Sequence, residues 1–253
     1  MTPAEVIREV GFEQKLETQL PLEVKFRDEA GREVALREYF GKRPVVLALV
    51  YYECPMLCNM ILNGITSSLK VVNLDAGVDF DVVAVSFDPR ETPELAAAKK
   101  AQYVRDYGRA GSAAGWHFLT GDEESIRRLT QAVGFKYFWD EGSQQFAHAS
   151  GVMVATPQGK LSRYFYGIEY APRDMRLGLV EASAGRIGSP VDAILLYCFH
   201  YDPVTGKYGL VIMNVMRLAG IATVLLLAGF IVVMLRRERR QRRSALRAGM
   251  ERT

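Results

Sequence analysis

Short blocks of apolar residues alternate with helix-length segments through the first two thirds of the chain. Residues 44–52 (PVVLALVYY) form a continuous apolar run, and residues 80–87 (FDVVAVSF) form a second, nearly continuous one. Short runs rich in β-branched and aromatic side chains are typical of strands buried on both faces of a sheet. Each run precedes a segment that predicts a helix, at about 55–69 and at 93–107, where Thr92 is the expected N-cap and Pro93 takes the first helical position.

The elements that follow continue this alternation. The pattern predicts a hairpin over 22–36, a short strand at 116–119, a helix at 122–133, a strand–turn–strand unit at 151–167 and a last helix at 173–184. Residues 144–150, which include His148, are expected to form a loop. Buried strands separated by helices indicate an α/β fold of three layers with a mixed sheet, in which the unit 151–167 supplies the antiparallel edge.

A second kind of pattern begins after residue 208. Residues 218–235 (LAGIATVLLLAGFIVVML) contain no charged residue, and a run of this length is typical of the centre of a membrane-spanning helix. The alternative is a buried helix of a globular domain. The segment RRERRQRR follows at once and favours the membrane helix, because basic residues flank such helices on the cytoplasmic side.

The chain is therefore predicted to have four parts. They are an N-terminal arm (1–20), an extracytoplasmic α/β domain with its connector (21–208), a transmembrane helix (209–235) and a basic cytoplasmic tail (236–253). We expect a single-pass protein of the cell's inner membrane, with its folded domain in the periplasm. Residues 1–21 have neither a basic start nor an apolar core, so we expect a signal segment to be missing or the true start to lie upstream.

Charge is distributed unevenly along the chain. Residues 236–253 hold eight arginines and two glutamates, a surplus of six positive charges, whereas the whole chain has a formal net charge of +3. The residues before the tail are therefore negative by three charges. This distribution argues against nucleic acid as a partner, since the predicted domain has no surplus of basic residues.

Two of the three cysteines lie four residues apart at the end of the first predicted strand. Cys54 is expected at or beside the N-cap of the following helix, with Pro55 in its first turn and Cys58 on the same face. A helix N-terminus stabilises a thiolate and lowers the pKa of a cysteine. Two such thiols suit either reversible disulfide chemistry or the binding of a soft metal ion.

The histidines extend this hypothesis. His148 precedes a predicted central strand, and two thiolates with one imidazole would form a three-coordinate site suited to copper, especially Cu(I). Spacing alone does not bring His148 to the cysteines, and a surface or capping histidine is the alternative. Cys198 and His200 pose a separate question: they form a second copper-handling site, or a buried structural thiol and an interfacial histidine.

Four segments together resemble the Sco/SenC family of copper chaperones for cytochrome c oxidase assembly. They are YECPMLC at 52–58, VSFDPRETP at 85–93, WHFLTG at 116–121 and the loop containing His148. The resemblance covers residues 20–186 and implies a thioredoxin-like fold. Three features differ from the usual family pattern: Met56 stands where an acidic residue is common, Ala147 stands where an aspartate is frequent, and the predicted membrane helix is C-terminal.

The resemblance also implies roles for individual residues. Cys54, Cys58 and His148 would be the copper ligands, and Asp88 would lie near the site and orient or polarise it. For Asp88 the alternative is a cap at the end of a strand. The partner implied is cytochrome c oxidase subunit II, whose binuclear copper centre would receive copper, or another oxidase-assembly factor.

Two functions from different classes follow. The first is a membrane-tethered metallochaperone that binds a copper ion, Cu(I) or Cu(II), and hands it to the oxidase. The second is a thiol–disulfide oxidoreductase that reduces the copper-site cysteines of the oxidase, with Cys54 as the attacking thiol and Cys58 as the resolving one. A peroxiredoxin-like peroxidase and a structural subunit of a respiratory complex are weaker alternatives.

Overall fold

The computed structural model describes residues 10–54 and 57–187, the backbone of two short strands at 201–202 and 207–208, and four residues between 220 and 234. The chain divides into two units, Met1–Gly188 and Ser189–Thr253. The strands of the first unit are β1 (Gly11–Phe12), β2 (Lys25–Arg27), β3 (Glu33–Ala35), β4 (Val45–Val50), β5 (Asp81–Ser86), β6 (Trp116–Leu119), β7 (Phe135–Asp140), β8 (Gln145–His148), β9 (Gly151–Ala155) and β10 (Leu161–Tyr166). Its helices are α1 (Leu57–Val71), α2 (Pro93–Tyr107), α3 (Glu123–Ala132) and α4 (Pro172–Ser183).

The core of the first unit is a five-stranded mixed sheet in the order β10-β9-β4-β5-β6. Strands β4, β5 and β6 are parallel, whereas β9 runs antiparallel to β4 and β10 antiparallel to β9. Every residue of β4, β5 and β9 is buried, which explains their apolar sequences. The predicted mixed sheet with an antiparallel hairpin at one edge is confirmed.

The parallel register brings two chain segments to the same edge of the sheet. Val45 pairs with Asp81 at one end of β4 and β5, and Val50 pairs with Ser86 at the other. The chain that leaves β4 toward Cys54 therefore emerges beside the chain that leaves β5 toward Asp88. Cys54 and Asp88 therefore follow neighbouring strands at the same edge of the sheet.

Helix α1 packs against α2 and α4, and all three helices pack against the sheet. Helix α1 contacts α2, α4 and β4, α2 contacts β6, and α4 contacts β9 and β10. The predicted start of α2 is confirmed, with Thr92 at the N-cap and Pro93 in the first turn. The N-cap of α3 is Asp122, whose side chain accepts a hydrogen bond from the backbone N–H of Ser125, 2.7 Å away.

A smaller antiparallel sheet, in the order β1-β7-β8, corrects one sequence-based expectation. The predicted loop at 144–150 is wrong, because residues 145–148 form strand β8, which pairs with β7. In β8 only His148 is buried, so the strand has no apolar face that a period of two could reveal. Strand β1 pairs with β7 as well and fixes part of the N-terminal arm to the domain.

The second unit contains a short antiparallel pair, β11 (Tyr201–Asp202) and β12 (Lys207–Tyr208). Of the residues that the structure describes, none belongs to a helix long and apolar enough to cross a membrane. Most of the predicted transmembrane segment 209–235, and all of the tail 236–253, lie outside the described residues. The four-part organisation of the chain stays a prediction.

Gly64 on α1 lies close to the chain at residue 168 and supports a stability prediction. A Cβ atom at this position would lie 2.0 Å from the carbonyl oxygen of Ile168. We therefore expect Gly64→Ala to lower the free energy of unfolding by about 1–3 kcal/mol, although alanine in an exposed helix is more stable than glycine. Urea unfolding followed by circular dichroism measures the change.

Gly142→Ala is the matched control, because a Cβ atom there meets nothing closer than 3.5 Å. If Gly64→Ala raised the free energy of unfolding, or if both variants lowered it equally, the close contact between α1 and the backbone of Ile168 would be contradicted.

Candidate metal centre

Three side chains with metal-ligating atoms meet at the edge of the sheet where β4 ends. The two sulfurs and one ring nitrogen of Cys54, Cys58 and His148 lie within 4.8 Å of one another, and all three residues are buried. Among these ligating atoms, Cys58 Sγ and His148 Nε2 lie 3.4 Å apart. The sequence alone left the position of His148 open; the tertiary structure brings it to the cysteines.

The first turn of α1 holds the two cysteines in place. The backbone N–H of Cys58 donates a hydrogen bond to Cys54 Sγ over 3.3 Å, and the N–H of Tyr51 donates to Cys58 Sγ over the same distance. Neither cysteine is in a disulfide. Asn59 adds a third constraint, since its Nδ2 donates to the carbonyl oxygen of Cys54, 3.0 Å away. Lys99 Nζ in turn donates to Asn59 Oδ1 over 2.7 Å.

His148 reaches the site at the end of the β7–β8 hairpin, where it pairs with Tyr137. Its Nδ1 lies 2.9 Å from the carbonyl oxygen of Ala149. Because a carbonyl oxygen only accepts hydrogen bonds, Nδ1 carries a proton, and in the neutral ring the lone pair of Nε2 faces the sulfurs. A hydrogen bond of this kind is the usual way in which a protein fixes the tautomer of a metal-ligating histidine.

Aromatic rings surround the imidazole. The rings of Phe87, Tyr51 and Phe135 lie 5.2, 5.9 and 6.2 Å from the ring of His148, measured between centroids. Phe146, two residues earlier on β8, packs against both Phe87 and Tyr51 at 5.5 Å. These contacts fix the imidazole against the ends of β4 and β5, because close-packed rings leave it little freedom to rotate.

The two thiols have very different acidities. The hydrogen bond from the Cys58 thiol, assisted by the Cys58 backbone N–H, outweighs burial and lowers the pKa of Cys54 to about 3. Burial raises the pKa of Cys58 far above its ordinary value, and donation of its proton to Cys54 adds to this effect. At neutral pH the pair therefore carries one negative charge, on Cys54.

Asp88 lies just after the end of β5, as the sequence predicted. Its side chain forms hydrogen bonds within the turn that follows this strand. Its carboxylate accepts hydrogen bonds from the side chain and backbone N–H of Arg90, the shortest over 2.6 Å. Among the described residues, no recorded hydrogen bond joins Asp88 to a cysteine or to His148. Its predicted role in orienting or polarising the site stays a prediction.

Arg90 connects Asp88 to the hairpin that carries His148. The guanidinium lies 4.6 Å from the centroid of the Trp139 ring and 5.6 Å from that of Phe146. Trp139 is on β7 and Phe146 on β8, and the two residues pair across the hairpin. Asp88 therefore acts on the hairpin through Arg90, by ion pairing and by cation–π contact.

Glu91 is a buried residue of the site that the sequence analysis missed. Its carboxylate accepts hydrogen bonds from the backbone N–H groups of Tyr52 and Glu53, immediately before Cys54. Burial raises the pKa of Glu91. In the sequence, an acidic residue directly before the start of a helix has a sufficient explanation in the helix dipole, so no local pattern distinguishes it.

Four residues named from the sequence lie outside the described residues: Pro55, Met56, Cys198 and His200. The hypothesis of a second copper-handling site at Cys198 and His200 stays untested. Ala147 pairs with Phe138 in the hairpin.

Comparison with known proteins identifies the family. The family model described as SCO1/SenC matches residues 14–179, about two thirds of the chain. The chain belongs to the SCO1/SenC family. It is similar to the SCO1 protein homolog of Bacillus subtilis, with 26% identity over 178 residues that cover 68% of this chain and 88% of that protein.

Solved structures of this family share the fold of the SCO1/SenC chain. A SCO1/SenC family lipoprotein of Bacillus anthracis matches with a TM-score of 0.55 and 18% identity, over 68% of this chain and 99% of that one. Arabidopsis thaliana ScoI, whose structure was solved with copper bound, matches with a TM-score of 0.53 and 17% identity, over 68% and 99%. The predicted thioredoxin-like α/β fold with a mixed sheet is thus confirmed.

The acidity of Cys54 leads to a prediction for this SCO1/SenC protein in its reduced, metal-free form. Because its pKa is about 3, we expect the ultraviolet absorbance of one thiolate to stay constant between about pH 5 and about pH 8. Replacement of Cys54 by serine should remove this absorbance, since the buried thiol of Cys58 stays protonated there.

Both proteins carry Cys198→Ser, so that the third cysteine adds no signal. Absorbance that rises only above about pH 8 in the protein with Cys54 intact would contradict the assignment, because that is the behaviour of an ordinary thiol.

Proposed function

We propose that this protein binds copper and serves in the assembly of cytochrome c oxidase. The observation that carries the proposal is the convergence of Cys54 Sγ, Cys58 Sγ and a ring nitrogen of His148 within 4.8 Å of one another, with His148 Nε2 3.4 Å from Cys58 Sγ. A trigonal ion about 2.3 Å from each donor atom needs donor atoms about 4 Å apart, so a small adjustment would suffice. Two thiolates and an imidazole are a soft donor set, which suits Cu(I).

The charges of the pair favour Cu(I) in particular. Without metal the site carries one negative charge, because Cys54 is a thiolate and Cys58 a thiol. When Cu(I) replaces the proton of Cys58, two thiolates and one monovalent cation again carry one negative charge. The buried site therefore binds this ion without a change in net charge, and so avoids the cost of creating a new buried charge.

Copper is the cargo in this proposal, and the family suggests its destination. Arabidopsis ScoI has been solved with copper bound, and the related protein BsSco is a member of the Sco family of cytochrome c oxidase assembly proteins. We infer that the partner is subunit II of the oxidase or another assembly factor. A helix at 209–235 would tether the domain to the membrane, with the domain in the periplasm and the basic tail in the cytoplasm, and raise its local concentration near the oxidase.

A thiol–disulfide oxidoreductase is the second candidate function. The free Cys54–Cys58 pair, with one thiolate beside one thiol, favours it. The Cys54 thiolate would attack a partner disulfide and release one partner thiolate, which takes up a proton. Cys58 would then lose its proton and attack Cys54 in the mixed disulfide. The two electrons pass to the partner, which leaves as a dithiol, and a Cys54–Cys58 disulfide remains.

Metal analysis tests the first candidate. The full-length chain, purified without oxygen and loaded with Cu(I), should hold about one ion per chain. His148→Ala and Cys54→Ser should each weaken Cu(I) binding by at least about 100-fold, because they remove a ligand atom. His117→Ala is the control, since His117 lies on β6 and packs against Tyr39, away from the cysteines and His148. Full copper retention in His148→Ala would rule out the three-ligand site.

Disulfide exchange with a model substrate separates the two functions. We expect Cys54→Ser to abolish exchange under either hypothesis, since it removes the attacking sulfur. His148→Ala should retain exchange within about tenfold, because an imidazole is not needed for this chemistry. A chain that performs exchange but binds no Cu(I) would support the oxidoreductase in place of the copper-binding protein.

A further inference from the structure

Glu91 is a buried carboxylate with no part in holding copper or in disulfide exchange as described above. It is 7% exposed and lies in the turn between β5 and α2. Oε1 accepts a hydrogen bond from the N–H of Glu53 over 2.7 Å, and Oε2 accepts one from the N–H of Tyr52 over 2.8 Å. The hydroxyl of Ser86 also donates to Oε2, over 2.5 Å.

These bonds fix the chain immediately before Cys54. The ladder between β4 and β5 ends at the pair Val50 and Ser86, so Tyr52 and Glu53 have no partner strand for their N–H groups. One carboxylate accepts from both, which sets the orientation of two consecutive peptide planes. Rotation of either plane would break its hydrogen bond to a buried acceptor, so these planes have little freedom to rotate.

A second contact holds the other side of Cys54. Asn59 Nδ2 donates to the carbonyl oxygen of Cys54, and Lys99 fixes Asn59 from α2. The backbone at Cys54 is therefore held from both sides, by Glu91 before it and by Asn59 after it. Glu91 lies just before α2, and Lys99 lies on α2. Both constraints therefore fix the backbone at Cys54 relative to this one helix.

We propose that Glu91 is a positioning residue of the metal centre, whose carboxylate fixes the backbone at Tyr52 and Glu53 so that the Cys54 sulfur meets Cys58 and His148. The inference rests on the proposed function, in which these three residues hold Cu(I). A merely space-filling role is a poor explanation, because burying a carboxylate costs free energy unless several donors satisfy it. Here three donors do, and two of them belong to the chain that leads to the ligand.

Two substitutions separate the properties of Glu91. Glu91→Gln keeps the length of the side chain but offers one acceptor oxygen in place of two and has no charge. Glu91→Asp keeps the charge but is one methylene shorter. Glu94→Gln is the matched control, since Glu94 is exposed in the first turn of α2 and has a recorded contact only with Thr92 among the described residues.

Two measurements on the full-length chain are required. The Cu(I) dissociation constant is obtained by competition with a chromophoric Cu(I) chelator. Amide hydrogen exchange at Tyr52 and Glu53 is measured on the reduced, metal-free protein, with the amides of β4 as the reference for global opening. Local loss of the contact speeds exchange at these two residues only, whereas general destabilisation speeds exchange throughout β4.

We expect both Glu91 variants to bind Cu(I) about 10- to 100-fold more weakly than wild type, with faster exchange confined to Tyr52 and Glu53. Glu94→Gln should stay within about twofold of wild type in both measurements. Unchanged Cu(I) affinity in both Glu91 variants would overturn the proposal, and so would weaker binding accompanied by faster exchange throughout β4. A wild-type chain that binds no Cu(I) overturns the proposed function itself, which is a separate result.

Discussion

The hydrogen bonds that Cys58 donates to the sulfur of Cys54 are the interactions on which the candidate site depends. One comes from its backbone N–H over 3.3 Å, and the other comes from its thiol. Together they make Cys54 a thiolate and keep the proton of the pair on Cys58. The same contact therefore supplies an anionic metal ligand, an attacking thiolate and a single proton for a monovalent metal ion to replace.

The surroundings of the pair are rigid for identifiable reasons. Cys58 belongs to the first turn of α1, whereas Cys54 lies in the short segment between β4 and α1 and is held by side chains from elsewhere in the chain. His148 arrives on a separate antiparallel hairpin, packed against aromatic rings at the ends of β4 and β5. The site thus joins a helix start, a strand end and a hairpin, and it exists only when all three are folded together.

Much of the architecture was predictable because apolar periodicity reflects burial. Strands β4 and β5 are buried along their whole length, and their sequences predicted them to within about two residues at each end. Helix α2 was predicted from Thr92 and Pro93, since caps and first-turn prolines act locally. The β7–β8 hairpin was missed because β8 is half exposed and its buried residue is a histidine, which no apolar pattern marks.

The cysteine pair and its place after a buried strand are local properties, and the sequence by itself determined them. The sequence also determined the family resemblance, because the motifs that carry it are continuous segments and can be compared without knowledge of the fold. Only the tertiary structure decided that His148 meets the two sulfurs, that Arg90 links Asp88 to the hairpin, and that Glu91 holds the chain ahead of Cys54. These contacts join residues 38 to 94 positions apart or depend on strand pairing, and only the packing of the sheet and hairpin brings such residues together.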